Sequence, residues 1–196
     1  YDIYANRPAI VLVHGFMSSN VYWRGTAFEL TKRGFVCMTI TARGHSASGG
    51  QFGPSWENET LSAVKYLRAH NQTLRIDPNM IGIVGHSMGA FSVTKAAIMD
   101  SSSGRNWINA TVAVGGPYLN ISNYFGDGFK WMLLNPFLYS FPLFDGDAAI
   151  ENIIFEGSTS NSTPVNYLNI IGQFDEVFSV ASAYELVYGM ADTNYW

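Results

Sequence analysis

The chain has 196 residues, of which 47% are hydrophobic and 13% charged, and these proportions exclude a disordered chain and fit one globular domain with a sizeable core. The formal net charge is -4 and Lys and Arg form no cluster, which excludes a nucleic-acid partner that would need a basic surface. No run of about 18 or more apolar residues occurs, so the sequence predicts no transmembrane helix in this stretch.

Short β-branched runs alternate with longer amphipathic segments along the chain. The predicted strands are 9–13, 35–41, 80–84, 110–114 and 165–171, and the predicted helices are 20–34, 59–74, 90–100 and 177–190. The strands are near-continuous apolar runs, which is typical of strands that are buried on both faces. The order of elements therefore predicts an α/β fold, with a mostly parallel sheet and helices on both of its faces.

Two stretches interrupt this alternation. The loop 41–55 is rich in Gly and Ser and follows a strand end, where α/β folds place binding residues. The stretch 117–164 is rich in aromatic residues, and Pro136 and Pro142 exclude one long helix there. We predict a single domain over 1–196, with its core in 9–116 and 165–190 and a lid-like insertion at about 117–164. The aromatic residues would either cover an apolar substrate or pack the insertion's own small core.

Ser87 stands between Gly85 and Gly89, after a predicted buried strand and before a predicted helix. In this context the pattern predicts a nucleophile elbow, because the two glycines let the backbone turn tightly and leave the serine hydroxyl exposed. The start of the helix adds the positive end of its dipole and the backbone N–H of Met88. The alternative is an ordinary turn between a strand and a helix.

A second donor for an oxyanion is predicted at the end of the first strand, in VHGF at 13–16. Gly15 allows the chain to turn so that the N–H of Phe16 faces the same point as that of Met88. His14 precedes this turn and comes too early in the chain for the base of a triad. We predict that His14 has a structural role.

Four segments together resemble the α/β-hydrolase fold from Ala9 to about Met190: VHGF at 13–16, RGHSAS at 43–48, RIDPNMIGIVGHSMGA at 75–90 and IIGQFDEVF at 170–178. The segment 75–90 is similar to the dienelactone-hydrolase and cutinase-like esterase branches. The resemblance implies that Asp175 is the triad carboxylate, with Glu176 as the fallback. The alternative is that Asp175 is a loop residue that caps the next helix.

The base histidine is the missing member of this pattern. The resemblance implies a histidine after one more strand beyond the acid, but no histidine follows Asp175. Among His14, His45, His70 and His86, His45 is the weak candidate, because its loop follows the second strand. We expect that the chain is a piece that ends before its last strand and histidine; the alternative is a protein that has lost its triad.

Together the motifs predict a serine hydrolase of carboxylic esters or thioesters that forms an acyl-enzyme on Ser87, with a small, apolar ester or acyl substrate. The competing hypotheses are a peptidase of the same fold and a non-catalytic binding protein.

We predict no cofactor and no metal site, because no His, Cys and carboxylate residues have the spacing of ligands. Cys37 is predicted to be a core residue. Five N-glycosylation-type sequons favour an extracytoplasmic location. They begin at Asn58, Asn71, Asn109, Asn120 and Asn161.

Overall fold

The computed structural model describes residues 6–51, 55–115 and 166–170. The predicted lid at 117–164, the predicted helix at 177–190 and Asp175 lie outside the described residues. The described elements are β1 (Arg7–Val13), a 3₁₀ helix (Asn20–Trp23), α1 (Arg24–Lys32), β2 (Val36–Ile40), α2 (Glu57–Ala69), α3 (Asn71–Leu74), β3 (Ile76–His86), α4 (Met88–Ser102), β4 (Ala110–Val114) and β5 (Tyr167–Ile170).

The five described strands form one sheet in the order β2-β1-β3-β4-β5, and every neighbouring pair is parallel. Val13, at the end of β1, lies in register with Ile40 of β2 and Gly85 of β3. Because parallel strands end at the same edge of a sheet, the segments that follow β1, β2 and β3 meet there. The predicted α/β fold is confirmed, and this edge contains the candidate site.

Both faces of the sheet are covered. Val11 of β1 packs in one apolar core with Val64 of α2 and Val93 of α4, and all three are fully buried. The neighbouring Leu12 points to the opposite face of the sheet, because side chains alternate along a strand, and it is fully buried as well. Cys37 of β2 is half-buried, and burial raises the pKa of its thiol, as expected for a packing residue.

Two predicted helices are divided in the structure. The segment 20–34 begins as a 3₁₀ helix, whose first residue, Asn20, donates its N–H to Thr41 Oγ1 at 3.1 Å, and continues as α1 from Arg24. The segment 59–74 is interrupted at His70, and Arg75 then adopts a left-handed conformation with φ of 54°. Strand β3 also begins earlier than predicted, because Ile76 pairs with Arg7 ahead of a shift in register. The contacts of Asn20 with Thr41 and of Ile76 with Arg7 join distant segments.

The side chain of Asp100, on α4, binds the backbone of the segment that leads into β4. Its Oδ2 accepts the N–H groups of Trp107 and Ile108 at 2.7 and 2.9 Å, and the residue is 1% exposed. Asp100→Ala would leave these N–H groups without their acceptor, so we expect it to lower the free energy of unfolding by about 3 kcal/mol in urea denaturation. The matched control is Asp77→Ala, which removes a local bond to the N–H of Asn79 and should cost no more than about 1 kcal/mol. Equal losses in the two variants would contradict this role for Asp100.

Candidate active site

Ser87 occupies a sharp turn between β3 and α4, with φ of 55° and ψ of -120°. The turn is held by its own backbone: the N–H of Ser87 donates to Val114 O at 2.9 Å, and the carbonyl of Ser87 accepts from Ala90 at 2.9 Å and Phe91 at 3.2 Å. A residue with a side chain adopts a positive φ of this kind at a cost of about 1–3 kcal/mol. The structure therefore stores strain at Ser87.

The glycines on either side of Ser87 permit this turn. A Cβ placed on Gly85 would overlap the carbonyl oxygen of Gly89 and lie 2.7 Å from the nitrogen of Ala90. A Cβ on Gly89 would overlap the carbonyl oxygen of Val13 and lie 2.7 Å from that of His14. Neither position has room for a side chain, and the absence of one lets the first turn of α4 lie directly against the end of β1.

The turn after β1 contacts Ser87 from the other side. A Cβ on Gly15 would lie 3.1 Å from Ser87 Cβ and 3.3 Å from the carbonyl oxygen of His86. The side chain of Met88 is buried in a small apolar cluster with Ala42 and Trp56, and Phe16 packs against that cluster. The fold thus brings Gly15, Phe16, Ser87 and Met88 together, although two separate motifs carry them.

His14 determines how the turn at Gly15 is oriented. Its Nε2 accepts the N–H of Ala42 at 3.0 Å, so Nδ1 carries the proton and donates to the carbonyl oxygen of Gly15 at 2.6 Å. That carbonyl and the N–H of Phe16 belong to one planar peptide group, so the bond also orients the Phe16 N–H. His14 is fully buried, and burial lowers the pKa of its ring, which keeps it neutral. The predicted structural role of His14 agrees with these contacts.

The lowered pKa of His14 predicts how stability changes with pH. The folded protein keeps the ring neutral at pH values where the unfolded chain protonates it, so the free energy of unfolding should fall as the pH drops below about 6.5. His14→Asn should remove this contribution and flatten the pH dependence. The measurement is urea denaturation of both proteins at about pH 8 and about pH 5, with the exposed His70→Asn as the control. A slope unchanged by His14→Asn would contradict the assignment.

His45 lies behind the same turn. Its side chain is 4% exposed, its Nδ1 is 3.0 Å from the carbonyl oxygen of Arg43, and its ring lies edge-on to those of His14 and Phe16, with centroids 5.2 and 5.9 Å apart. These contacts hold the side chain of Phe16 in place. The prediction that His45 acts as a base stays a prediction.

The other two histidines have different surroundings. The ring of His86 stacks on that of Tyr22, with centroids 5.1 Å apart and an angle of 17°, and a Cβ on Gly15 would be 3.4 Å from its Nδ1. His70 is exposed and stacks on Tyr66 at 4.0 Å. His86 therefore borders the candidate site, and His70 belongs to the end of α2.

The sequence profile of the family described as serine aminopeptidase, S33, matches residues 4–191. The chain belongs to the S33 family of α/β hydrolases. Among curated proteins, none matches the sequence of this S33 hydrolase.

Solved esterase structures have the same fold as the S33 hydrolase. An esterase of Pyrococcus furiosus, Pf2001, superposes with a TM-score of 0.67 at 22% identity, over 97% of this chain and 71% of its own. Esterase Est22 superposes with a TM-score of 0.72 at 19% identity, over 98% of this chain and 63% of its own. Brefeldin A esterase, a bacterial homologue of human hormone sensitive lipase, superposes with a TM-score of 0.66 at 17% identity. The superposition covers 96% of this chain and 59% of that esterase. The chain thus spans between 59% and 71% of the length of these three esterases.

The described part of the S33 hydrolase contains no group of three His, Cys, Asp or Glu residues that could hold a metal ion. No helix in residues 6–51 and 55–115 is long and apolar enough to cross a membrane. The loop after β2, which the sequence predicts to be a binding segment, is anchored by Glu59 of α2, a residue that no sequence motif indicates. Glu59 forms an ion pair with Arg43 of that loop, with Nε 2.5 Å from Oε1.

Proposed function

We propose that the protein is a serine hydrolase of carboxylic esters or thioesters, with Ser87 as its nucleophile. The observation that carries the proposal is the contact between the Gly15 turn and Ser87 at the carboxyl edge of the sheet. From this contact we propose that the backbone N–H groups of Phe16 and Met88 lie on two sides of Ser87 and serve as the oxyanion donors. The N–H of Met88 belongs to the first turn of α4, where backbone N–H groups have no partner within the helix.

In the proposed reaction, Ser87 Oγ attacks the carbonyl carbon of the ester while a base takes its proton. The resulting oxyanion accepts the N–H groups of Phe16 and Met88, which stabilise the tetrahedral state. The C–O or C–S bond then breaks, and the alcohol or thiol leaves with the proton. Water attacks the acyl-enzyme with help from the same base, which releases the acid and restores Ser87.

The base and its orienting acid are proposed from the family resemblance. We propose Asp175 as the acid and a histidine beyond Trp196 as the base. His45 is the alternative base, since its ring lies against Phe16.

The substrate class is proposed from the aromatic segment 117–164 and from the esterases that share the fold. Those three proteins are esterases, and we extend that activity to this chain as a proposal, with small apolar esters as substrates. The similarity of 75–90 to dienelactone-hydrolase and cutinase-like branches stays a prediction. The family description names an aminopeptidase, so peptide amides form the second substrate class that the experiment must include.

The decisive experiment is labelling with a fluorophosphonate, which reacts only with activated serines, followed by intact mass measurement. We expect one adduct on a form that continues past Trp196 and none on its Ser87→Ala variant. The same measurement on the 196-residue chain tests the base: an adduct there would favour His45 as the base, and its absence would favour a histidine beyond Trp196. No adduct on the longer form would overturn the proposal in favour of a non-catalytic binding protein.

Turnover assays then separate the substrate classes. We expect the longer form to hydrolyse p-nitrophenyl butyrate faster than an aminoacyl p-nitroanilide, with both rates lost in Ser87→Ala. A faster rate on the anilide would replace the esterase proposal with the peptidase one. Binding of the butyrate ester without turnover would support the non-catalytic alternative.

A further inference from the structure

We propose that the Arg43–Glu59 ion pair positions the oxyanion donor of Phe16, by anchoring the turn 42–45 on which that donor rests. This inference depends on the proposed function, because it assigns a role to two residues within the same site. The pair would act on the site through the turn, so both residues would count as positioning residues.

The first step is the attachment of the turn to α2. Glu59 Oε2 accepts the backbone N–H of Arg43 at 3.2 Å, and Oε1 lies 2.5 Å from Nε of the same residue. One carboxylate thus binds the backbone and the side chain of a single residue. The Glu59 side chain is 22% exposed and that of Arg43 45% exposed, so water screens the attraction and the pair contributes little to overall stability.

The second step is the attachment of the same turn to the oxyanion segment. The N–H of Ala42, one residue before Arg43, donates to His14 Nε2 at 3.0 Å. Glu59 and His14 therefore accept consecutive backbone N–H groups and hold the turn from two sides. The turn is closed by the N–H of His45, which donates to Ala42 O at 3.1 Å.

The third step connects the turn to the donor. His14 orients the peptide between Gly15 and Phe16 through its bond to Gly15 O. The ring of His45 lies against Phe16, and Ala42 shares the apolar cluster of Met88 and Phe16. A displacement of the turn would change all of these contacts together and would move the Phe16 N–H away from the position of the oxyanion.

The consequence is an effect on rate that exceeds the effect on stability. An oxyanion donor acts on the tetrahedral state and contributes little to binding of the ground state, so its misplacement lowers kcat and leaves KM nearly unchanged. We expect Glu59→Ala to lower kcat about tenfold, which is less than the roughly 10²–10³-fold cost of losing one donor outright. Arg43→Lys keeps the cation and the backbone N–H, so we expect it to retain most of the rate.

The experiment measures kcat and KM for p-nitrophenyl butyrate, inhibition by a trifluoromethyl ketone, and Tm, on the form that fluorophosphonate labels. The variants are Glu59→Ala, Glu59→Gln, Arg43→Ala, Arg43→Lys and the double variant Arg43→Ala with Glu59→Ala. The matched control is Glu29→Gln, which weakens the exposed ion pairs of Glu29 with Lys32 and Arg33 at the end of α1. The ketone adds to serine and forms an oxyanion, so its inhibition constant reports on the donors.

The expected result is a rise in the ketone inhibition constant that matches the fall in kcat, with KM within twofold and Tm close to that of Glu29→Gln. The double variant should be no slower than Glu59→Ala alone, because the two residues act as one unit. Wild-type kcat in Glu59→Ala, or a rate loss that only follows a loss of Tm, would overturn the inference. Failure of the wild-type protein to label at Ser87 would instead overturn the proposed function, so the two failures are distinguishable.

Discussion

Replacing Ser87 with glycine is expected to abolish ester hydrolysis and, at the same time, to raise the free energy of unfolding by about 1 kcal/mol. The loss of rate follows from the loss of the proposed nucleophile, which in a serine hydrolase costs on the order of 10⁶ in kcat. The gain in stability follows from the backbone, because Ser87 has φ of 55° and ψ of -120°. Glycine adopts this conformation without the clash that a Cβ causes, although it also gives the unfolded chain more freedom.

Ser87→Ala is the matched control, since alanine removes the hydroxyl but keeps the Cβ and its strain. We expect the alanine variant to be as inactive as the glycine variant and to stay within about 0.5 kcal/mol of the wild-type free energy of unfolding. Urea denaturation of the three proteins, together with p-nitrophenyl butyrate hydrolysis, makes the comparison. A glycine variant less stable than the alanine variant would show that the turn at Ser87 is not strained.

The central sheet and the position of Ser87 could be predicted because local patterns determine them. Apolar runs with β-branched residues identify buried strands, and parallel strands place their carboxyl ends at one edge of the sheet. Gly15 and Ser87 each follow such a strand, and their contact at that edge is a consequence of topology. Helix boundaries were less predictable, as the division after Trp23 depends on a hydrogen bond from Asn20 to Thr41.

The support behind the site could not be predicted, because it depends on packing between segments that share no motif. Glu59 belongs to a helix face whose charges would ordinarily be solvated, and only the folded loop places Arg43 on it. In the same way, the contact between the rings of His45 and Phe16 depends on packing between two loops, and no sequence motif indicates it. Single residues with titratable side chains are therefore weaker predictors of a site than glycines that a tight turn requires.

Gly89→Ala is expected to destabilise the protein strongly, because the backbone around Gly89 leaves no room for a methyl group. The added Cβ would overlap the carbonyl oxygen of Val13 and lie 2.7 Å from that of His14. Both are backbone atoms of β1 and of the residue that follows it, so they can move only if α4 separates from the sheet. We expect a loss of about 3 kcal/mol or more in the free energy of unfolding, and a fall in kcat of at least about 10²-fold as the Gly15 turn shifts.

Two further variants keep this prediction testable even if Gly89→Ala does not fold. Gly25→Ala makes the same change on α1, where nothing lies within 4 Å of the new Cβ, and it should raise the free energy of unfolding by about 0.5–1 kcal/mol because alanine favours the helix. In Gly15→Ala the new Cβ would lie 3.1 Å from Ser87 Cβ. Small shifts can relieve this contact, so we expect a folded protein with a lower kcat. Urea denaturation and ester hydrolysis of all three variants would decide the matter. A Gly89→Ala protein with wild-type stability and kcat would show that α4 does not start against the end of β1, and the oxyanion geometry built on that contact would have to be abandoned.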